Sequence, residues 1–183
     1  ANPLSETTEL YYGTDVYKTA TRVNIVKPPG TYHAYKSGDT QLLGLIVEKA
    51  TGKSLSVYAA EKIWQPLGAE HTALWSIDKP NGNEKAYCCF NSNARDFARL
   101  GQLMLDSGKI NGRAVIDSAF FRKSVAPCKI IDENNMPCNY YGYQWWIIPG
   151  RQDIFYARGI LGQYIICIPA RNMVIVRLGE KRD

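Results

Sequence analysis

Tyr35-Lys36-Ser37-Gly38-Asp39-Thr40-Gln41-Leu42-Leu43-Gly44 sets a phenol and a hydroxyl two residues apart, after the rigid turn Pro28-Pro29-Gly30 and ahead of a helix. The helix is predicted from about Asp39 to Thr51, because Leu42, Leu43, Leu45, Ile46 and Ala50 form an apolar stripe at helical spacing and Gly52 suits the C-terminal cap. A helix start carries partial positive charge, worth about 0.3–1 kcal/mol to an anion beside it. A tyrosine with an ordinary pKa of about 10 accepts a proton at neutral pH only where a cation stabilises the phenolate. The stretch is a layout for a tyrosine base, and the cation has to come from elsewhere.

Outward from this stretch the chain changes character. Ser5 with acidic residues after it can cap a short helix, though the segment up to Thr21 is poorly specified. Residues 22–34 read as extended chain around Pro28-Pro29-Gly30. Further helices are predicted from Ser54 to about Ile63, from Ala94 to about Asp106 and from Asp117 to Ser124. The second of these starts at a Ser92 or Asn93 cap and buries Phe97, Leu100, Leu103 and Met104. After residue 140 the period shortens: 143–148, 154–159, 163–168 and 174–179 are β-branched and aromatic runs parted by Gly and Pro turns. Helices first and an antiparallel meander last is an α+β order, a single domain of mainly helical residues 1–139 followed by strands in 140–183.

The chain has 183 residues, 45% apolar and 21% charged, enough for a real core. No apolar run approaches the roughly 20 residues of a membrane helix, and the first residues carry no secretory pattern. The net charge of +5 is spread along the chain without a basic block, so a nucleic-acid partner is not indicated. Cys88, Cys89, Cys128, Cys138 and Cys167 lack zinc-finger spacing, and an odd number cannot all pair within one chain. They are expected to be buried thiols, Cys88 and Cys89 in a strand-like segment, with Cys128 and Cys138 as the alternative for one bridge. His33 and His71 have no third ligand nearby in sequence, so no metal is expected; His33 takes a structural role. The Arg95-Asp96 pair reads as a structural ion pair or cap.

Five ordered blocks carry a resemblance that covers nearly the whole chain. They are the Tyr35 to Gly44 stretch, Trp64-Gln65-Pro66-Leu67-Gly68, Ala94 to Gly101, Tyr141-Gly142-Tyr143-Gln144-Trp145-Trp146, and Arg158-Gly159-Ile160-Leu161-Gly162-Gln163. Together they resemble the serine β-lactamase and penicillin-binding superfamily, in its class C-like branch with esterases and 6-aminohexanoate-dimer hydrolases. The resemblance implies a β-lactamase-like fold, a helical subdomain followed by the C-terminal strands of the central sheet.

It also implies chemistry. Tyr35 would help deprotonate a serine nucleophile and protonate the leaving group; the alternative is a core aromatic. Ser37 stands where relatives carry Asn or Ser that binds substrate or the catalytic lysine; the alternative is a helix N-cap. The family's strand motif maps onto Ala157-Arg158-Gly159, with the backbone N–H of Ile160 as one half of an oxyanion hole. Ala157 departs from the usual cation or imidazole, which weakens β-lactam binding unless Arg158 substitutes. Gly162-Gln163 resembles the turn of the dimer hydrolases and esterases, the alternative being a hairpin turn feeding a strand, and Tyr143, Trp145, Trp146 and Gln163 are candidates for a pocket wall, burial in the core being the alternative for the aromatics.

In the family a Ser-x-x-Lys turn opens a helix ahead of the tyrosine. No residues ahead of Tyr35 form it, and the literal match Ser76-Ile77-Asp78-Lys79 runs into Pro80-Asn81-Gly82, a turn. The chain therefore reads as the C-terminal piece of a serine hydrolase that cleaves a small amide or ester through an acyl-enzyme, without a cofactor and inactive by itself. The resemblance is compatible with a periplasmic or extracellular location, which the chain leaves open. The alternatives are a non-catalytic penicillin-binding-like sensor and a structural fragment that self-associates through an open sheet edge.

Overall fold

The computed structural model describes residues 5–181. In chain order they form α1 (Glu6–Tyr12), α2 (Val16–Thr21), β1 (Tyr32–His33), α3 (Ser37–Thr51) and α4 (Leu55–Ala59), which runs on into a π-helical turn, Ala60–Trp64. Then come β2 (Leu74–Trp75), β3 (Phe90–Asn91), α5 (Ala94–Leu105), β4 (Lys109–Ile110), β5 (Arg113–Ala114), α6 (Ser118–Ser124) and β6 (Ile131–Asp132). The chain ends in β7 (Trp146–Ile148), β8 (Arg151–Gly159), β9 (Gln163–Ile168) and β10 (Met173–Arg177). The α+β order is as expected. No helix among the described residues is long and apolar enough to cross a membrane.

The chain folds as two compact units, interleaved in sequence: one of residues 1–29, 34–62 and 73–91, the other of 30–33, 63–72 and 92–183. In the first, short polar side chains start the helices, because the free N–H groups of a first turn need acceptors. Ser5 accepts from Thr8 N at 3.2 Å and Asp15 from Lys18 N at 2.9 Å. Leu10, Val16 and Ala20 are fully buried.

The apolar stripe that predicts α3 is not the face it buries. Leu43 and Ile46 are 53% and 60% exposed, while Gly38, Gln41 and Gly44 are buried. The reason is close backbone approach: a Cβ on Gly44 would lie 2.6 Å from Ala86 Cβ and 3.0 Å from Leu55 Cδ1. Ser76 to Lys79 forms no helix; Ile77 bridges Glu84, and Gly82 N donates to Lys79 O at 2.8 Å across the turn.

In the second unit, β10-β9-β8-β7 is an antiparallel sheet in that order, with β7 shorter than the run 143–148 suggested. Strand alternation gives it two faces. Phe155, Cys167 and Ile165 share the face that meets α5, with Phe155 opposite Cys167 and Ala157 opposite Ile165. The approach is close because residue 101 has no side chain: a Cβ there would sit 2.5 Å from Val174 Cγ1 and 3.1 Å from Ile165 Cγ2. Met104, Phe121, Ile147, Phe155 and Cys167 form the core. Of the predicted buried face of α5, Leu103 and Met104 are buried, but Phe97 and Leu100 are only half-buried.

Asp96 is buried with them, and it is not the ion-pair partner of Arg95. Its carboxylate accepts from Glu70 N at 2.9 Å and His71 N at 3.1 Å, while Arg95 reaches Glu70 at 3.7 Å. Arg99 pairs with Glu70 as well.

Four of the five cysteines are bonded, which corrects the expectation of buried thiols at Cys88 and Cys89; the bridge named as the alternative, Cys128 to Cys138, is present, and Cys167 is a buried thiol as expected. Cys88 and Cys89 are joined to each other, with Cys89 at φ 67°, and Cys128 is joined to Cys138. Cys167 is free, and burial pushes its thiol up to about 12.

Two outcomes are expected. Gly101→Val forces the α5-to-sheet contact apart and lowers unfolding free energy by about 1–3 kcal/mol in urea titration. The N–H donors of Glu70, Asn93 and His71 hold the Asp96 carboxyl below its usual range against the opposing effect of burial. A depressed folded-state pKa stabilises above the unfolded value and loses that contribution as pH falls through the folded one. Thermal melts of the wild type should therefore drop more steeply on acidification than those of Asp96→Asn.

Candidate active site

The residues read as functional fall in both units. In the first, Ala34 to Lys36 is extended chain that delivers Tyr35 to the start of α3, and the Tyr35 side chain is 57% exposed. It is not a core aromatic. Ser37 is the first helical residue, and the cap position is Lys36, which makes no side-chain capping bond. The N-cap alternative for Ser37 is thereby corrected; its hydroxyl lies near enough to the Tyr11 phenol to hold that group's pKa down in part.

Tyr11 is the residue that sequence reasoning passed over. Burial pushes its phenol up, neighbouring Tyr35 adds to the rise, and the Ser37 hydroxyl partly offsets it. Its ring lies 5.0 Å from that of Tyr87, whose hydroxyl donates to Leu10 O at 2.6 Å. Tyr87 is likewise raised, burial being the main cause. Three phenols and a hydroxyl thus adjoin at the start of α3. Nothing in the local pattern of α1 marks Tyr11, because the contact is made by folding α1 against α3.

Gln41 holds that arrangement in place. Its amide is fully buried; Nε2 donates to Glu84 O at 3.0 Å and Oε1 accepts from Ala86 N at 2.9 Å. Both ends of one side chain satisfy backbone that folding has removed from water. Gln41→Leu keeps the volume and strands both partners, so unfolding free energy should fall by about 1–3 kcal/mol, measured by urea titration.

In the second unit the strand motif sits at the end of β8. Arg158 faces Tyr164 and Gly159 faces Gln163 in register, and the chain turns at 160–162 with Leu161 at φ 64° and Gly162 at φ 77°. A Cβ on Gly159 would lie 3.0 Å from Gln163 Cβ, so the glycine permits close pairing at this point. Ile160 is 67% exposed. Arg158 lies on the sheet face away from α5, its guanidinium carbon 5.9 Å from the centre of the Trp146 ring, which also stacks on Tyr156. Gln163 donates through Nε2 to Gly179 O.

The other expected wall residues separate. Tyr143 is 52% exposed and 5.9 Å from Phe120. Trp145 is edge-on to Phe155 at 5.4 Å and packs against the core cluster.

The neighbours that His33 lacks in sequence are supplied by folding. Strands β1 and β6 pair in parallel, His33 opposite Asp132, and this brings the imidazole to Cys128 and Cys138. The three potential ligand atoms lie within 4.8 Å of one another.

With fold and side chains located, the chain can be set beside known proteins. The family model for β-lactamase matches residues 2–182, and the chain belongs to the β-lactamase family. It is 31% identical over 159 residues to a 6-aminohexanoate-dimer hydrolase of Paenarthrobacter ureafaciens, covering 81% of this chain and 39% of that one. It is 26% identical over 221 residues to an N-acetylmuramyl-L-alanine amidase of Bacillus subtilis (strain 168), covering 94% of this chain and 50% of the relative. A solved Bacillus anthracis structure with the provisional name 6-aminohexanoate-dimer hydrolase superposes with a TM-score of 0.85 at 29% identity, over 98% of this chain and 50% of its own. The chain spans half or less of the length of these relatives.

Proposed function

We propose that the protein carrying this chain is a serine hydrolase that cleaves a small amide or ester through an acyl-enzyme. A serine attacks the carbonyl carbon, Tyr35 relays the serine proton toward the leaving group, the bond to that group breaks, and water then releases the acyl chain as an acid. Ser37 orients a donor at the reacting centre, and the N–H of Ile160 stabilises the oxyanion. The attacking serine and its lysine are assigned to no residue of this chain, whose Ser76 is paired with Cys89 and Lys85 in extended backbone and whose Lys79 opens the turn after it, so the two share no helix.

The observation that carries this reading is an exposed phenol at position 35, immediately ahead of α3, in a chain of the β-lactamase family. The names of the curated relatives, a dimer hydrolase and an amidase, favour an amide as the bond cleaved. Gly159 and the turn after it supply the open backbone an oxyanion donor needs, and Arg158, Tyr143, Trp145 and Gln163 are the candidates for contacts to the acyl portion. Ala157, without charge or imidazole, favours a second reading as a penicillin-binding-like sensor. The β10 edge of the sheet is the strand through which copies would pair.

In the complete protein, Tyr35→Phe should lower turnover of a p-nitrophenyl ester about 100-fold or more, the loss of one general base. Near-normal turnover would remove Tyr35 from the mechanism. No acyl transfer by the unaltered protein with any amide or ester, together with retained ligand binding, would favour the sensor. The 183-residue chain alone should not be labelled by a fluorophosphonate probe, and stoichiometric labelling would place a nucleophile within it.

A further inference from the structure

The cluster at His33, Cys128 and Cys138 lies within the second unit and takes no part in the proposed hydrolysis. Two sulfurs and an imidazole nitrogen lie within 4.8 Å of one another. A tetrahedral zinc ion holds thiolate sulfur at about 2.3 Å and imidazole nitrogen at about 2.0–2.1 Å, which sets the ligand atoms roughly 3.4–3.8 Å apart. That spacing falls inside the 4.8 Å limit observed for the three atoms. We propose that, with the Cys128–Cys138 bond reduced, these three side chains bind one thiophilic divalent cation of the zinc class, leaving a fourth position for water.

Three features of the surroundings favour a metal over mere proximity. The backbone that carries the two cysteines is closed by its own hydrogen bonds. Cys128 N donates to Tyr141 O, Cys138 N to Ile130 O and Asp132 N to Met136 O, each at 2.8 Å. The thiols therefore stay adjacent after the sulfur–sulfur bond is cut.

His33 is held by β1–β6 pairing and by ring contacts, 5.0 Å to Tyr141 and 5.8 Å to Tyr140. Its neighbour in register is Asp132, a buried carboxylate fixed by Asn134 N at 2.8 Å, Met136 N at 3.0 Å and the Tyr140 hydroxyl at 3.0 Å. The buried Asp132 carboxylate puts negative charge at the neighbouring register position, which favours a cation at the cluster. Cys138 is 1% exposed whereas Cys128 and His33 are half-buried, so an ion has a way in and is then largely covered.

The two states of the cluster exclude each other. A phosphine or dithiol reductant gives two electrons to the disulfide and is itself oxidised, and two protons complete the thiols. Binding the cation as a bis-thiolate releases two protons. Soft sulfur donors with one imidazole select zinc or cobalt over magnesium or calcium.

The test uses the complete protein, reduced with a phosphine under inert gas, freed of reductant and titrated with cobalt(II). One cobalt per chain is expected, with a sulfur-to-cobalt charge-transfer band and the intense visible bands of a tetrahedral site, displaced by zinc(II). The oxidised protein should show neither. Cys128→Ser or Cys138→Ser should abolish the charge-transfer band of the pair, and His33→Ala should weaken binding about tenfold or more by removing one ligand. The Cys88→Ser/Cys89→Ser double variant should leave the spectrum unchanged.

Because a substituted hairpin can fail to fold, a second measurement uses the unaltered sequence. Zinc should protect Cys128 and Cys138 of the reduced protein from iodoacetamide, located by peptide mass spectrometry. A reduced protein without the cobalt band, a band that survives loss of Cys128 and Cys138 or vanishes with Cys88 and Cys89, or alkylation indifferent to zinc, each overturns the proposal.

Discussion

The first unit depends on one buried amide. Gln41 bonds Glu84 O and Ala86 N from the buried side of α3, and no apolar residue can do the same, since both backbone groups would be left without a partner in a site closed to water. With that side held, Ser37 sits one turn ahead of Gln41 on the same helix, and Tyr35 in the extended segment just before it. A tyrosine in an extended segment loses conformational freedom when the residues after it are fixed, and after Tyr35 the chain enters the helix that Gln41 pins.

The second unit is governed by a different constraint, the absence of a side chain at Gly101. Helix α5 lies close enough to β9 and β10 that Val174 and Ile165 occupy the space a Cβ would need. This sets which sheet face is core and therefore which residues of β8 point the other way. Arg158 stacks on Trp146 for that reason, with Tyr156 beside it. Sheet alternation converts a helix-packing detail into the placement of a cation at the end of the strand motif.

Cysteine chemistry adds a further layer. Cys167 is a buried thiol raised by desolvation, and its Sγ donates to Gly101 O at 3.6 Å where α5 meets the sheet. The pair at 128 and 138 sits instead on a hairpin held by backbone bonds, beside an imidazole and a fixed carboxylate. Such a cluster can be closed covalently or by a cation, and which closure prevails depends on the reducing power of the surroundings.

Much was legible in the residues alone. The α3 period, the Ser5 cap, the turn after Lys79 and the final strands follow from local periodicity, capping chemistry and turn residues, and the ordered blocks from Tyr35 to Gln163 already marked the family. Local pattern could not say which side of α3 is buried, since that depends on the approach of Ala86, 42 positions beyond Gly44. It could not bring Tyr11 to Ser37, pair Cys88 with Cys89, or set His33 against Cys128. Each of these is a contact between segments distant in sequence, or a backbone turn held by them, and only the packed chain decides it. Sequence by itself determined the elements and their chemistry; tertiary structure decided which side chains meet, because burial and hydrogen-bond satisfaction are properties of the whole packed unit.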